Sequence, residues 1–229
     1  MGERQGDAPV RKRTGPRRGG VLAGVPSPPD DDARRRHVIS AAEAVFLNKG
    51  YYLARMDDIA TAATMSKRTI YQMFASKEAL FEALLVDRMP PPRQCELNSS
   101  RPLEVAIAEL LLDCSLWILS PESVAITRLI MGEYSHSPEL GRLLKRLGYK
   151  RFVATLEKGL SLLAETGRYH FDDLEVAAKM LIGMVVGDFH HKLLIGVCRS
   201  VAKPAIKRRV HAALAIFLAG AKSNAAPPD

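Results

Sequence analysis

Cysteines, aromatic residues and long apolar runs are all scarce in this sequence of 229 residues. Its three cysteines, Cys95, Cys114 and Cys198, cannot all pair with one another and show no C-x-x-C spacing. This argues against a disulfide scaffold and a structural zinc site. No run of about 18 apolar residues is present, so no membrane span is predicted. The basic N-terminus lacks the apolar segment of a secretory signal. We therefore expect a cytoplasmic protein without a membrane partner.

The few aromatic residues and the absence of strand-like alternation point to helices. Aromatic residues make up 6% of the chain and apolar residues 47%, with alanine and leucine supplying most of the apolar share. This composition favours helices over sheets. No stretch alternates apolar and polar residues as a half-buried strand would. An all-α fold is predicted.

Capping residues and prolines divide the chain into helices. A first helix is predicted from about Asp32 to a stop at Lys49-Gly50. Two short helices follow, over about 55–62 and from Ser66, and a fourth helix runs from Ser76 to the proline run 90–92. Later starts are predicted at Ser120-Pro121, at Ser137-Pro138 (a long helix to Glu165), at Asp172 or Asp173, and at Lys203-Pro204. Residues 1–31, rich in proline, glycine and arginine, are predicted to be a disordered tail.

Two short helices between Met56 and Phe74 are separated by a three-residue turn. Ile59 and Ile70 are placed to pack one helix on the other, and Ala60 allows a close crossing. This is the layout of a helix-turn-helix, whose second helix enters the DNA major groove. The pattern leaves one alternative open, an ordinary helical hairpin with a solvated basic face.

The second of these helices carries side chains suited to DNA. Lys67 and Arg68 can donate to guanine and Gln72 can read adenine. Thr69, Tyr71 and the helix N-terminus at Ser66 suit phosphate oxygens. The net charge of +8 also favours an anionic partner. The arginine-rich arm at 11–18 is predicted either to enter a minor groove or to add only nonspecific affinity.

The stretch from Phe46 to Phe81 resembles the DNA-binding domain of TetR/AcrR-type transcriptional regulators. The matching segments are F-L-N-K-G-Y at 46–51, D-D-I-A at 57–60, S-K-R-T-I-Y-Q-M-F at 66–74 and S-K-E-A-L-F at 76–81. The resemblance implies a regulator that binds double-stranded operator DNA. It implies DNA contacts from Ser66, Lys67, Arg68, Thr69, Tyr71, Gln72 and Lys77, with Tyr71 and Lys77 on phosphates.

Two positions depart from that family's pattern. Its usual turn is A-G-V-S, whereas this chain has A-T-M-S at 63–66. Thr64 is expected to be strained by roughly 1–2 kcal/mol if its φ is positive. Ala54 stands where the family usually has a capping threonine, and the lost cap is expected to cost about 1 kcal/mol.

The stretch from Arg128 to Gly196 resembles the C-terminal domain of the AefR-like branch, through 128–133, 137–141 and 187–190. In such proteins this part dimerises and holds an effector. The predicted organisation is a tail (1–31), a three-helix helix-turn-helix domain (32–76), a helical ligand-binding and dimerisation domain (77–222) and a disordered tail (223–229).

Two sets of residues are candidates for these tasks. The candidate effector pocket is lined by apolar and aromatic side chains, although packing in the core is the simpler role for any one of them. These are Trp117, Ile118, Met131, Tyr134, His136 and Phe152. The candidate dimer interface is a four-helix bundle, with burial inside one subunit as the alternative. Its residues are Met180, Met184, Leu193, Leu194, Ala212, Ile216 and Phe217.

We therefore expect a homodimeric repressor that a small apolar or amphipathic effector releases from DNA. One alternative is a constitutive dimeric DNA-binding protein without an effector. Another is a metalloenzyme using His136, Asp188, His190 and His191. Adjacent histidines on a helix point about 100° apart, and no catalytic nucleophile set or phosphate-binding glycine loop is visible. No enzymatic activity, metal or cofactor is expected.

Overall fold

The computed structural model describes residues 29–89 and 101–222, and this part of the chain contains ten α-helices and no β-strand. The helices are α1 (Pro29–Lys49), α2 (Met56–Ala62), α3 (Lys67–Met73), α4 (Lys77–Arg88), α5 (Leu103–Ile118), α6 (Pro121–Gly132), α7 (Glu139–Leu144), α8 (Lys150–Glu165), α9 (Leu174–Leu194) and α10 (Lys203–Gly220). A π-helical turn, Lys145–Tyr149, joins α7 to α8. The prediction of an all-α fold is confirmed.

Four predicted helix starts carry the expected side-chain caps. The side chains of Ser66, Ser76, Ser120 and Asp173 accept backbone N–H groups in the first turns of α3, α4, α6 and α9. Each cap satisfies a donor that the helix itself leaves unpaired. A cap of this kind contributes about 1 kcal/mol, so local sequence sets where these helices begin.

Other boundaries differ from the predictions. The first helix begins at Pro29 rather than near residue 32, because proline suits the first helical turn and acidic residues such as Asp31 and Asp32 favour that end. The serine N-cap followed by proline that was expected at 137–138 is absent. Ser137 is buried, and Pro138 precedes α7 without a side-chain cap. The long helix predicted to Glu165 is interrupted by the π-helical turn.

The first hydrophobic core joins α1–α4 to parts of α6 and α7. At its centre lie Phe46, Tyr51 and Phe81, whose ring centroids are 5.1–5.6 Å apart. The two phenylalanines are fully buried, and each such burial contributes about 1.5–3 kcal/mol. Since Phe81 belongs to α4, this helix is fixed to the bundle that carries α2 and α3.

The second core is formed by α5, α8, α9 and α10, with a contribution from α6. Helix α4 belongs to the first core, and at its end the carbonyl of Arg88 accepts the indole N–H of Trp117 in α5. Helix α6 contributes residues to both cores. These two helices therefore connect the two parts. The predicted division between residues 76 and 77 stays a prediction. None of the helices in the described ranges is both long enough and apolar enough to cross a membrane.

Candidate nucleic-acid interface and internal cavity

Helix α1 contacts both helices of the helix-turn-helix, α2 and α3. At its start, Arg35 donates from Nη1 to the carbonyl of Met73 at 3.3 Å, and its guanidinium lies 4.3 Å from the centre of the Phe74 ring. At its end, the ammonium of Lys49 lies 2.7 Å from the Asp58 carboxylate in α2. These contacts fix both α2 and the end of α3 to α1. They set the angle at which α3 is presented.

The turn between α2 and α3 contains a strained residue. Thr64 has φ +54°, and it alone among the non-glycine residues of the described ranges has a positive φ. The condition on which strain at Thr64 was expected, a positive φ, is therefore met. The backbone N–H of Thr64 donates to the carbonyl of Thr61 at 3.1 Å, and that of Met65 to the carbonyl of Ala60 at 3.0 Å. A β-branched residue in this conformation costs of order 1–2 kcal/mol.

Replacing Thr64 with glycine is expected to raise the free energy of unfolding by about 0.5–1 kcal/mol. Glycine adopts a positive φ without steric cost, and this gain exceeds its larger entropy in the unfolded chain. Urea denaturation followed by circular dichroism measures the change. The control is Thr61→Gly, in helical backbone of α2, which should destabilise the protein. A Thr64→Gly variant no more stable than the parent would contradict the strain.

The start of α2 corrects the expected cap position. The N-cap residue is Arg55, not Ala54, and Ala54 is buried in the first core. The carboxylate of Asp58 accepts the backbone N–H of Arg55 at 2.9 Å. The hydrogen bond from the Lys49 ammonium and, after it, this backbone bond lower the pKa of Asp58. The missing capping threonine is therefore partly replaced by an acid within α2.

Helix α3 presents most of its predicted DNA-contacting residues to solvent. Ile70 is fully buried, whereas Lys67, Arg68, Tyr71 and Gln72 are exposed. Ser66 and Thr69 form the N-cap, with 3.1 Å between the Thr69 N–H and the Ser66 hydroxyl. The exposed side chains lie on the face of α3 that turns away from the first core. Their positions suit a helix that enters a groove.

Lys67 is already paired within the protein. Its ammonium lies 2.8 Å from the carboxylate of Asp57 in α2, and this partner raises the pKa of Lys67. Both side chains are exposed, so the pair can exchange with solvent or phosphate at small cost. In contrast with Lys67, Arg68 has no ion pair among those found in the described residues.

Lys77 has a structural role within the protein in addition to its predicted DNA contact. Its ammonium donates to the carbonyls of Tyr51, Tyr52 and Ala54 at 2.7, 3.2 and 2.9 Å. An ammonium has three N–H donors, and these carbonyls use all of them. Burial lowers the pKa of Lys77. Lys77 therefore secures the loop between α1 and α2, and its contact with phosphate stays a prediction.

That loop also approaches the rest of the protein closely. Gly50 has φ +81°, and a Cβ at this position would collide with the carboxylate of Glu133 at the end of α6. Beside it, the rings of Tyr52 and His136 lie 4.8 Å apart. The positive φ favours glycine at this position, whereas the Glu133 side chain could move away from a Cβ.

An internal cavity of about 220 Å³ lies where α4, α5, α6, α8 and α9 meet. Its walls are mostly apolar, with a few polar side chains. The lining residues are Leu85, Arg88, Met89, Cys114, Trp117, Ile118, Ser123, Ile126, Thr127, Leu144, Phe152, Ile182, Val186 and His190. This mostly apolar lining with a few polar groups is typical of a small-molecule site, while the volume is smaller than that of most such sites.

The structure places three of the six predicted pocket residues on this wall. Trp117, Ile118 and Phe152 line the cavity, and the Trp117 and Phe152 rings lie 5.3 Å apart. The expectation for the other three is corrected, because they lie at the end of α6 and in the following loop, outside the cavity. Met131 and Tyr134 are 60% and 74% exposed, and His136 is exposed against Tyr52.

His190 also lines the cavity, although the sequence suggested it only as a candidate metal ligand. Its Nε2 is buried without a hydrogen-bond partner among the described residues, and burial lowers its pKa. His191, the next residue in α9, is exposed instead. Within the described ranges, no three histidine, cysteine or acidic residues are grouped to hold a metal ion. Cys114 also lines the cavity, and burial raises the pKa of its thiol to about 12.

The cavity wall is connected to the helix-turn-helix through Arg88, at the end of α4. Its Nε donates to the two carboxylate oxygens of Glu43 in α1 at 3.2 and 3.1 Å, and Nη2 donates to the same carboxylate. Its backbone carbonyl accepts the indole N–H of Trp117 at 2.7 Å. Arg88 therefore links a cavity-lining side chain to the helix that supports α2 and α3.

The candidate dimer residues fall into exposed and buried groups. Met180, Ala212 and Ile216 are exposed on α9 and α10, and Met184, Leu194 and Phe217 are half-buried. Leu193 is buried in the second core, which corrects its expected place at an interface. The exposed face of α9 also carries Gly183 and Gly187, and a Cβ at either position would touch no other group. The faces of α9 and α10 thus offer small and apolar residues to a partner.

Comparison with known proteins identifies the family. A model described as bacterial regulatory proteins, tetR family, matches residues 38–84. A second, described as AefR-like transcriptional repressor, C-terminal domain, matches residues 106–220, which is half of the chain. The chain belongs to the TetR family of transcriptional regulators and has an AefR-like C-terminal domain.

Individual relatives agree with this family. The HTH-type transcriptional activator FasR of Mycolicibacterium smegmatis is 46% identical over 54 residues, 24% of this chain and 25% of that protein. The match thus spans only about a quarter of that relative's length. A TetR-family regulator from Mesorhizobium loti has 26% identity and a TM-score of 0.68, covering 84% of this chain and 98% of its own. The flavonoid-responsive regulator FrrA has 28% identity and a TM-score of 0.70, covering 85% and 100%.

Proposed function

We propose that this protein is a homodimeric repressor that binds double-stranded operator DNA and is released by a small molecule. The observation that carries the proposal is α3, which is fixed by α1 through Arg35 and presents Arg68, Tyr71 and Gln72 to solvent. Arg68 and Gln72 have the donors and acceptors that read base edges in the major groove. Ser66, Thr69 and Tyr71 supply phosphate contacts, and Lys67 can leave Asp57 for a phosphate.

The proposed operator binding needs a dimer for a geometrical reason. One short helix such as α3 reads only a few base pairs, and two of them must reach major grooves about 34 Å apart. The exposed faces of α9 and α10 support a four-helix bundle between two protomers. Glycine inside a helix lowers stability by about 1 kcal/mol relative to alanine. Close packing of a second copy against α9 would explain why Gly183 and Gly187 occur in this helix.

An effector would act through α4. The cavity touches Leu85, Arg88 and Met89 at the end of this helix, and Arg88 holds Glu43 of α1. A ligand that fits the cavity better in one position of α4 changes the separation of the two α3 helices. Similarity to a regulator described as flavonoid-responsive supports control by an organic effector. A constitutive regulator would use the same DNA interface without this step.

Selection of bound fragments from sheared genomic DNA of the source organism tests the proposed operator binding. We expect a recovered site with two half-sites in inverted repeat, because the homodimer is two-fold symmetric. Binding should weaken steeply as salt rises, because phosphate contacts release counterions. Recovery of fragments without a shared sequence would contradict a sequence-specific regulator. A single unrepeated half-site would contradict the dimer.

A further inference from the structure

The unpartnered nitrogen of His190 gives the cavity a chemical preference. Its Nε2 is buried, and no hydrogen-bond partner for it is found among the described residues. Leaving a buried polar atom unpaired is costly, and most such atoms in proteins have a partner. The imidazole is one of the side chains on the cavity wall, although Nε2 itself exposes almost no surface. A small rotation of the ring would bring this nitrogen to a molecule in the cavity, which then supplies the missing partner.

The lining argues for a ligand without net charge. Among the described residues, the wall contains no aspartate or glutamate, so a cation would find no counter-charge from them. The guanidinium of Arg88 already pairs with the carboxylates of Glu43 and Asp87. An anion would therefore compete with two carboxylates for it. Burial lowers the pKa of His190, so the imidazole at neutral pH is uncharged and offers a hydrogen bond instead of an ion pair.

A hydroxyl group is the best partner for a neutral imidazole. Nε2 is either a donor or an acceptor, depending on which ring nitrogen holds the proton. A hydroxyl can donate to it or accept from it, so it satisfies the nitrogen in both tautomers. The surrounding Trp117, Phe152 and Met89 offer rings and a flexible thioether to the remainder of the molecule.

We propose that the cavity binds a neutral, compact apolar molecule that carries a hydroxyl group paired with His190 Nε2. A cavity of about 150 Å³ holds benzene, so the 220 Å³ found here suits a substituted ring or two small fused rings. This inference rests on the proposed function, since it gives the chemical class of the effector. It can also be tested without DNA.

The experiment compares three molecules of one shape: 4-tert-butylphenol, tert-butylbenzene and 4-tert-butylbenzoate. Trp117 is the one tryptophan of the chain and lies on the wall, so its fluorescence reports binding to the full-length protein. We expect the phenol to bind about fivefold to tenfold more tightly than the hydrocarbon, as a buried hydrogen bond provides. The benzoate should bind more weakly than either.

Two variants assign the preference to His190. His190→Leu should make the phenol and the hydrocarbon bind equally, whereas His190→Gln should keep part of the difference because its amide still forms a hydrogen bond. Tightest binding of the benzoate, equal binding of phenol and hydrocarbon to the parent protein, or no binding of any of the three would overturn the inference.

Fluorescence anisotropy of a selected DNA fragment separates this inference from the proposed function. If the phenol binds at the cavity and the fragment stays bound, the ligand class stands and release by an effector is wrong. If the phenol binds and lowers the affinity for the fragment, both stand. If none of the three molecules binds while the fragment does, the ligand class is wrong and DNA binding is unaffected.

Discussion

Replacing Arg68 and Tyr71 together with alanine is expected to lower operator affinity by about a hundredfold or more. Arg68 is exposed in α3 and Tyr71 extends from the same helix. A good bidentate contact from arginine to guanine contributes about 1–3 kcal/mol, and a dimer makes each contact twice. Neither side chain belongs to the first core, so the double variant should keep its helix content and its dimer. Fluorescence anisotropy with the selected operator at fixed salt measures the loss.

The matched control is Arg142→Ala with Tyr134→Ala. It removes the same two side-chain types from exposed positions outside α2 and α3. The control should bind the operator as the parent does, because neither residue lies in α3. Its change in net charge equals that of the test variant, so the comparison isolates the position of the side chains. Equal losses in both double variants would show a general electrostatic effect and contradict the assignment of Arg68 and Tyr71.

A further comparison uses the ion pair of Lys67. Because its ammonium already contacts Asp57, Lys67→Ala removes a DNA contact and also leaves Asp57 unneutralised near the phosphates. The salt dependence of binding should fall by about one phosphate contact per half-site, without a change in base preference. This outcome separates a charge that positions the protein from a side chain that reads sequence.

The helix-turn-helix could be predicted from sequence because its signals are local. Ser66 and Ser76 cap helices within three residues of themselves, and Ile59 and Ile70 are close in the chain. Strain at Thr64 could be expected only on condition that its φ is positive, because a threonine in place of the family's usual glycine could also reshape the turn. Such features depend on a few neighbouring residues, so the pattern determines them.

The errors came from contacts between residues far apart in sequence. The sequence predicts a phosphate contact for Lys77 but not that its ammonium donates to carbonyls of the loop at 51–54. Tyr134 and His136 have the right chemistry for a pocket, but the end of α6 turns them outward. His190 reaches the cavity because α9 packs against α8 and α5. A helical pattern predicts on which face of its helix a residue lies. It does not predict which other helix or loop packs against that face.

Placing a charge on the exposed face of α10 is expected to separate the dimer. Ile216 is 66% exposed in the protomer, so Ile216→Glu should fold normally with its carboxylate in water. In the proposed four-helix bundle the same carboxylate would be buried without a partner, at a cost of several kcal/mol. Size-exclusion chromatography with light scattering should show a monomer at concentrations where the parent is a dimer.

Loss of the dimer should in turn weaken operator binding by about a hundredfold or more. Two linked α3 helices gain from a high effective concentration at the second half-site, and a monomer lacks this gain. The control is Val197→Glu, in the loop after α9, where the side chain is 68% exposed and belongs to neither helix of the bundle. It should remain a dimer with parental affinity. A dimeric Ile216→Glu variant would contradict this interface, whereas a monomeric variant with full affinity would show that each α3 binds DNA independently.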